Sequence, residues 1–120
     1  MQIDHRWQDK IVITSLIGEL DTPITDDVWA ELLEITDFSP QGVVLDLSRC
    51  TYIASSGISL VVRLAKRLRT VHVPLRMAGA IPPIRLVLET VNLLSLIPLD
   101  ESIDASIAEL RRMTPHARVA

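Results

Sequence analysis

Residues 43–68 read VVLDLSRCTYIASSGISLVVRLAKRL. The opening Val43-Val44-Leu45-Asp46-Leu47 is a short, nearly unbroken apolar run rich in β-branched residues, as expected of a strand covered on both faces. From Ser55 to Leu68 the pattern changes to helical spacing. Ile58, Val61, Val62, Leu64, Ala65 and Leu68 read as a core face, with Ser59, Arg63, Lys66 and Arg67 opposite. A buried strand that feeds an amphipathic helix is half of a parallel crossover, so this stretch predicts an α/β fold.

The flanking sequence repeats the alternation. Ile3–Trp7 alternates weakly, Gln8-Asp9-Lys10 makes a turn, and Ile11–Ile17 is a second buried strand. So short a connection predicts an antiparallel hairpin with the first strand at the sheet edge. Thr22-Pro23-Ile24-Thr25 breaks the pattern, and Thr25 with Asp26 and Asp27 starts a helix. Val28, Leu32 and Ile35, widened by Trp29 and Leu33, form its stripe, and Phe38–Gly42 is a loop. Val71–Met77 reads as a third internal strand. Pro82 and Pro83 open a helix with a stripe of Ile84, Val87, Leu88 and Val91, and Asn92 is its left-handed cap. Leu96-Ile97 reads as a short strand and Ile103–Met113 as a last helix, with Ile103, Ile107 and Leu110 inward. The expectation is a mostly parallel central sheet of about five strands, an antiparallel N-terminal edge strand and four helices. Residues 1–113 form one domain in this reading, and 114–120 a flexible tail.

Composition narrows the function. The chain has 120 residues, 48% hydrophobic, with a net charge of −3, which excludes a disordered chain. Cys50 is the only cysteine, so neither an internal disulfide nor a cysteine zinc cluster is available. The longest uncharged stretch, 51–62, is shorter than the roughly 18 apolar residues of a spanning helix. The N-terminus carries Asp4 and no basic leader, so the expected compartment is the cytoplasm, without direct membrane insertion. Charge is segregated: residues 1–46 hold ten acids against Arg6 and Lys10, while residues 47–88 hold seven bases and no acid. Aromatics amount to 3%, too few for stacking platforms, and the net charge is negative, so nucleic acid is not an expected partner.

Enzyme chemistry finds little support. His5, His72 and His116 lie on separate elements without metal-ligand spacing. The glycines at 18, 42, 57 and 79 match no phosphate loop, and Ala54-Ser55-Ser56-Gly57 lacks the leading Gly of a nucleophile elbow. Glu19, Asp21 and Asp46 fall at strand ends, where three acids can hold Mg²⁺, but the same residues also cap turns, and no metal is assigned. The strongest feature is Tyr52–Ile58, where a strand ends, two serines follow and Gly57 opens a helix. Ser55 is expected as the N-cap. Such a position also tolerates phosphate, which adds about −1.5 to −2 charges and three acceptor oxygens.

Taken together, these motifs resemble the STAS domain of bacterial anti-sigma factor antagonists (anti-anti-sigma factors). Gly18-Glu19-Leu20-Asp21 is similar to that family's Gly-Glu-Leu-Asp, and Val43–Ser48 with Tyr52-Ile53 is similar to its strand and loop before the serine. Ser55-Ser56-Gly57-Ile58 is similar to its Asp-Ser-Ser-Gly-Leu signature, with Ala54 in place of the Asp. Glu89-Thr90-Val91-Asn92-Leu93 resembles a further segment, with Asn92 for the usual Gly.

The resemblance implies a STAS fold and a binding module that is not an enzyme and has no cofactor of its own. It implies binding to an anti-sigma factor that is also a serine kinase of the histidine-kinase-like ATPase fold. Phosphorylation at Ser55, with Ser56 as the alternative, breaks the complex, and a PP2C-type phosphatase resets it. The expected contact surface comprises Asp21, Thr22, Ser55, Ser56, Gly57, Leu60, Arg63 and Arg67, with Ser56, Leu60, Arg63 and Arg67 as an outward stripe. The chain is expected as a monomer or weak dimer. The alternatives are a STAS subunit of a membrane lipid transporter, a STAS module that is never phosphorylated, and a flavodoxin-like nucleotide- or metal-binding enzyme.

Overall fold

The computed structural model describes residues 2–21 and 26–113. The N-terminal strands β1 (Gln2–Gln8) and β2 (Ile11–Leu20) form an antiparallel hairpin. Asp9 takes a left-handed conformation (φ 56°) in the two-residue turn. The chain continues through α1 (Asp26–Glu34), a 3₁₀ turn (Ile35–Phe38), β3 (Gly42–Asp46), β4 (Cys50–Ile53), α2 (Ser55–Thr70), β5 (Leu75–Ala78) and α3 (Pro82–Thr90). A second 3₁₀ turn (Leu93–Ser95), β6 (Leu99–Asp100) and α4 (Ile103–Met113) complete it. The sheet order is β1-β2-β3-β5-β6, with every pair parallel except β1·β2.

Strand alternation divides the core between two faces. On one, Val12, Leu16, Val43, Leu45 and Met77 pack with Leu32 of α1, Leu64 and Leu68 of α2, and Ile84 and Leu88 of α3. On the other, Ile11, Ile13, Val44 and Ala78 meet Ile103, Ile107 and Leu110 of α4. Because both faces are covered, Ile11–Leu16 is buried at every position, Thr14 and Ser15 included, as its nearly unbroken apolar run led one to expect.

Three segments depart from the sequence expectation. The anticipated strand at Val71–Met77 begins only at Leu75. Val71 and Val73 instead close the end of α2: the Val73 N–H donates to Leu68 O at 2.9 Å, with His72 left-handed (φ 59°) between them. The strand expected at Leu96-Ile97 lies at Leu99–Asp100, because the Ile97 N–H is spent on Leu93 O and its side chain fills the core. The six-stranded sheet also contains β4, of which the sequence reading gave only a strand end at Tyr52 and no separate element. Cys50 and Ile53 are buried while Thr51 and Tyr52 are exposed, so four residues carry no period-two signal. Asn92 is left-handed (φ 58°), as read. Thr22, Pro23, Ile24, Thr25 and the tail 114–120 lie outside the described residues.

Candidate functional site

The site is assembled where β2, β4 and α2 converge. Beyond β3, the end of β2 is taken up by β4, with Glu19 facing Tyr52 and Leu20 facing Ile53. Gly18 (φ 99°) makes the bend that allows this switch of partner, a conformation an L side chain rarely adopts. The Ala54 N–H then donates to Leu20 O at 2.9 Å and anchors the start of α2 to the end of β2.

Ala54, not Ser55, is the N-cap of α2: its backbone is extended (φ −95°, ψ 173°) and its carbonyl accepts the Ile58 N–H at 3.0 Å. Among the described residues no side chain caps the helix, and no acid lies in its first turn. Ser55 is the first helical residue and is exposed, whereas Ser56 is half-buried, with its Oγ enclosed and, among the described residues, without a hydrogen-bond partner. The expected N-cap is displaced by one residue because the Ala54–Leu20 hydrogen bond holds Ala54 in an extended conformation. The two serines thus differ in kind: one hydroxyl is open to a visiting protein and the other is not.

Gly57 is set against the sheet. A β-carbon there would stand 2.7 Å from Leu20 Cγ and overlap the Leu20 carbonyl oxygen. That contact fixes the rotation of α2 and overturns one part of the expected contact surface. Leu60 is 6% exposed and belongs to the core, so Ser56, Leu60, Arg63 and Arg67 do not form an outward stripe. The buried side is Gly57, Leu60, Val61, Leu64 and Leu68. Ile58 and Val62, read as core, pack against it but are only half-buried, and they line a shallow hollow of about 360 Å³ with Ser59, Arg63 and Lys66. The signal was present in the sequence, since Gly57, Leu60, Val61, Leu64 and Leu68 follow an i, i+3, i+4, i+7, i+11 pattern once glycine is allowed to count as a core contact.

The outward face therefore runs through Ser55, Ser59 and Arg63, with Ile58, Val62 and Lys66 beside it. The Arg63 guanidinium lies 4.2 Å from the centre of the Trp29 ring, which ties α1 to α2 and holds the charge in place. Arg67 is exposed further along the helix, and Asp21 is half-buried just past β2, while Thr22 lies outside the described residues.

Glu19, Asp21 and Asp46 do not form a metal site: among the described residues no cluster of three or more His, Cys, Asp or Glu side chains is placed to hold an ion. Asp46 is instead a structural carboxylate. Burial pushes its pKa up, but hydrogen bonds from the Ser48 hydroxyl and N–H and from Ser15 Oγ (2.8 Å), with the charge of Arg49, hold it below the usual value. Among the described residues no helix is long and apolar enough to cross a membrane.

Known proteins share this architecture. BtrV of Bordetella bronchiseptica, which carries the name anti-sigma factor antagonist, is 34% identical over 107 residues, covering 89% of this chain and 92% of its own. The crystal structure of an anti-sigma factor antagonist from Mycobacterium paratuberculosis superposes with a TM-score of 0.82 at 19% identity, covering 92% and 93% of the two chains. The anti-sigma factor antagonist SpoIIAA in its unphosphorylated form gives 0.77 at 20% identity over 92% and 96%. In its phosphorylated form, from Bacillus, it gives 0.69 at 20% over 92% and 100%. Residues 2–106 match the STAS domain family, and with the 34% identity to BtrV along nearly its whole length, the chain belongs to that family.

Proposed function

We propose that this protein is an anti-sigma factor antagonist that docks its partner over the start of α2 and is released by phosphorylation of Ser55. One observation carries this reading: Ser55 is an exposed hydroxyl on the first residue of a 16-residue helix whose N-cap, Ala54, makes no side-chain capping hydrogen bond. The name of BtrV supports the regulatory class. The existence of both phosphorylated and unphosphorylated SpoIIAA shows that a protein of this fold carries the modification.

The physical basis is a change of charge at nearly constant stability. The free N–H groups and the positive end of the α2 dipole accommodate a phosphate. A dianion at that position then opposes a docked surface that had fitted a neutral hydroxyl. Ala54 replaces the family's Asp, so Ser55 has no carboxylate immediately before it and none in the first helical turn. Phosphorylation therefore adds about −1.5 to −2 charges to a first turn that carries no acid of its own. Ile58 and Val62 supply apolar contact, and Ser59, Arg63 and Lys66 supply a polar rim, as interfaces of this kind require. Gly57 and Leu60 act from beneath, by positioning the helix. The partner in this reading is an anti-sigma factor with serine kinase activity, and a PP2C-type phosphatase restores the hydroxyl. ATP and its metal belong to the kinase.

The test is incubation of the protein with candidate kinases encoded beside its gene, with ATP and Mg²⁺, followed by phosphosite mapping. Phosphate on Ser55 with loss of kinase binding is expected. Stoichiometric phosphate at another residue, or tight binding that survives modification, overturns the assignment.

A further inference from the structure

Outside the α2 site, the exposed flank of β1 is built to pair with itself. We propose that β1 is a homodimerisation edge, on which a second copy of this chain docks its own β1 antiparallel, with the two-fold axis at His5.

β1 is the terminal strand of the sheet and, among the described residues, pairs only with β2, in unbroken register from Gln2↔Ile17 to Gln8↔Ile11. A two-residue turn closes on a hydrogen-bonded pair, here Gln8↔Ile11, and antiparallel pairs alternate between bonded and non-bonded. The N–H and C=O groups of Gln2, Asp4, Arg6 and Gln8 therefore face β2. Those of Ile3, His5 and Trp7 face outward, an open row of backbone donors and acceptors.

Charges on an edge strand ordinarily discourage pairing. The register decides otherwise here. Two copies of a strand related by a two-fold axis pair residues whose numbers have a constant sum, and outward groups meet outward groups only when that sum is even. A sum of 8 places Asp4 against Asp4 of the partner, and a sum of 12 places Arg6 against Arg6. A sum of 10 uses the whole strand: Gln2 meets Gln8, Ile3 meets Trp7, Asp4 meets Arg6, and His5 meets His5. Both charges then face their opposites, twice over, and all six outward-facing groups from each copy find partners. Opposite charges directly across an antiparallel pair stabilise it and like charges destabilise it.

The side chains are available for this. Asp4 and Arg6 are exposed, and neither belongs to an ion pair among the described residues; Asp4 receives only a 3.4 Å hydrogen bond from Gln2. On the opposite face of the strand, Trp7 is 44% exposed and Ile3 half-buried, so Ile3–Trp7 pairing covers apolar surface at each end of the interface. β1 lies on the other flank of β2 from β3 and β4, so dimerisation at this edge does not depend on the reading of Ser55. A single strand pair buries little area, which makes the dimer a transient one.

The experiment is sedimentation equilibrium of the full chain over a wide concentration range, with charge-swap variants. The wild type is expected to show a reversible monomer–dimer equilibrium. Arg6→Asp alone, or Asp4→Arg alone, sets like charges across the register and is expected to weaken dimerisation by about tenfold or more. The double variant Asp4→Arg/Arg6→Asp restores every opposite pair and is expected to recover wild-type affinity. Amide exchange by NMR gives an independent readout: the N–H groups of Ile3, His5 and Trp7 become protected as concentration rises, while those of Asp4 and Arg6 are protected throughout. A wild type that stays monomeric at the highest concentration overturns the proposal, as does a dimer indifferent to Arg6→Asp, a double variant that fails to recover, or exchange without this alternation.

Discussion

A β-carbon added to Gly57 would overlap the carbonyl oxygen of Leu20, the same oxygen that receives the Ala54 N–H. The first turn of α2 is thus pressed against the last residue of β2, and this contact sets both where the helix begins and which way it faces. Replacement of Gly57 by Ala is expected to destabilise the fold by about 2–3 kcal/mol, through overpacking against backbone that cannot yield. Urea denaturation measures it, and a loss below about 0.5 kcal/mol, the range of neutral surface changes, rejects the contact as structurally important.

On α2, Leu60 is buried and Arg67, two turns further on, is exposed. Leu60→Ala is expected to cost about 2–5 kcal/mol, as buried leucines do. Arg67→Ala is expected to stay within about 0.5 kcal/mol. Equal effects in chemical denaturation would contradict the burial of Leu60.

The proposed docking face centres on Ile58 and Val62. Asp substituted at Val62 places a charge in the half-buried hollow beside Arg63 and is expected to reduce affinity for the partner by at least about tenfold, the loss of one interface anchor. Isothermal titration with the cognate anti-sigma factor reads it. Circular dichroism run alongside distinguishes lost binding from lost fold.

Ser55→Glu is expected to be neutral or to stabilise by about 0.3–1 kcal/mol, because a negative charge at the first helical position favours the dipole. It is also expected to weaken partner binding. Thermal melts and titrations together test both halves: a destabilised variant argues against an accommodating helix start, and undiminished binding argues against a charge switch.

Acid sensitivity has a definite sign. Arg76 forks onto Asp100 through Nε (2.6 Å) and Nη2 (3.0 Å), with the two side chains 16% and 14% exposed, and Ser106 Oγ donates to the same carboxylate at 2.6 Å. The hydrogen bond from Arg76 lowers the Asp100 pKa, burial opposes it, and Ser106 adds to the lowering. Asp46 is lowered as well. A carboxyl with a depressed folded-state pKa stabilises the fold above its unfolded value. That contribution is lost as pH falls from about 4 through the lower folded-state value. Stability by urea denaturation is therefore expected to decline below pH of about 4. Asp100→Asn is expected to remove about 2–3 kcal/mol at neutral pH, the worth of charge-assisted hydrogen bonds, and to flatten the acid limb. An unchanged acid limb in that variant contradicts the assignment.

Much of this protein was legible from residue order. The buried strands at Ile11–Ile17 and Val43–Leu47, all four helices, the left-handed Asn92 and the α/β class follow from periodicity and turn chemistry, which act within a few residues. The serine-bearing helix start was legible too, because strand, small residues and amphipathic helix are adjacent in sequence. Tertiary contact alone decided the rest. β4 exists because the tail of β2 needed a partner after Gly18, Ala54 became the cap because Leu20 O held its N–H, and Leu60 went inward because Gly57 let the helix approach the sheet. Each of those outcomes depends on atoms more than thirty residues apart meeting at van der Waals or hydrogen-bond distance, and local periodicity carries no record of such meetings.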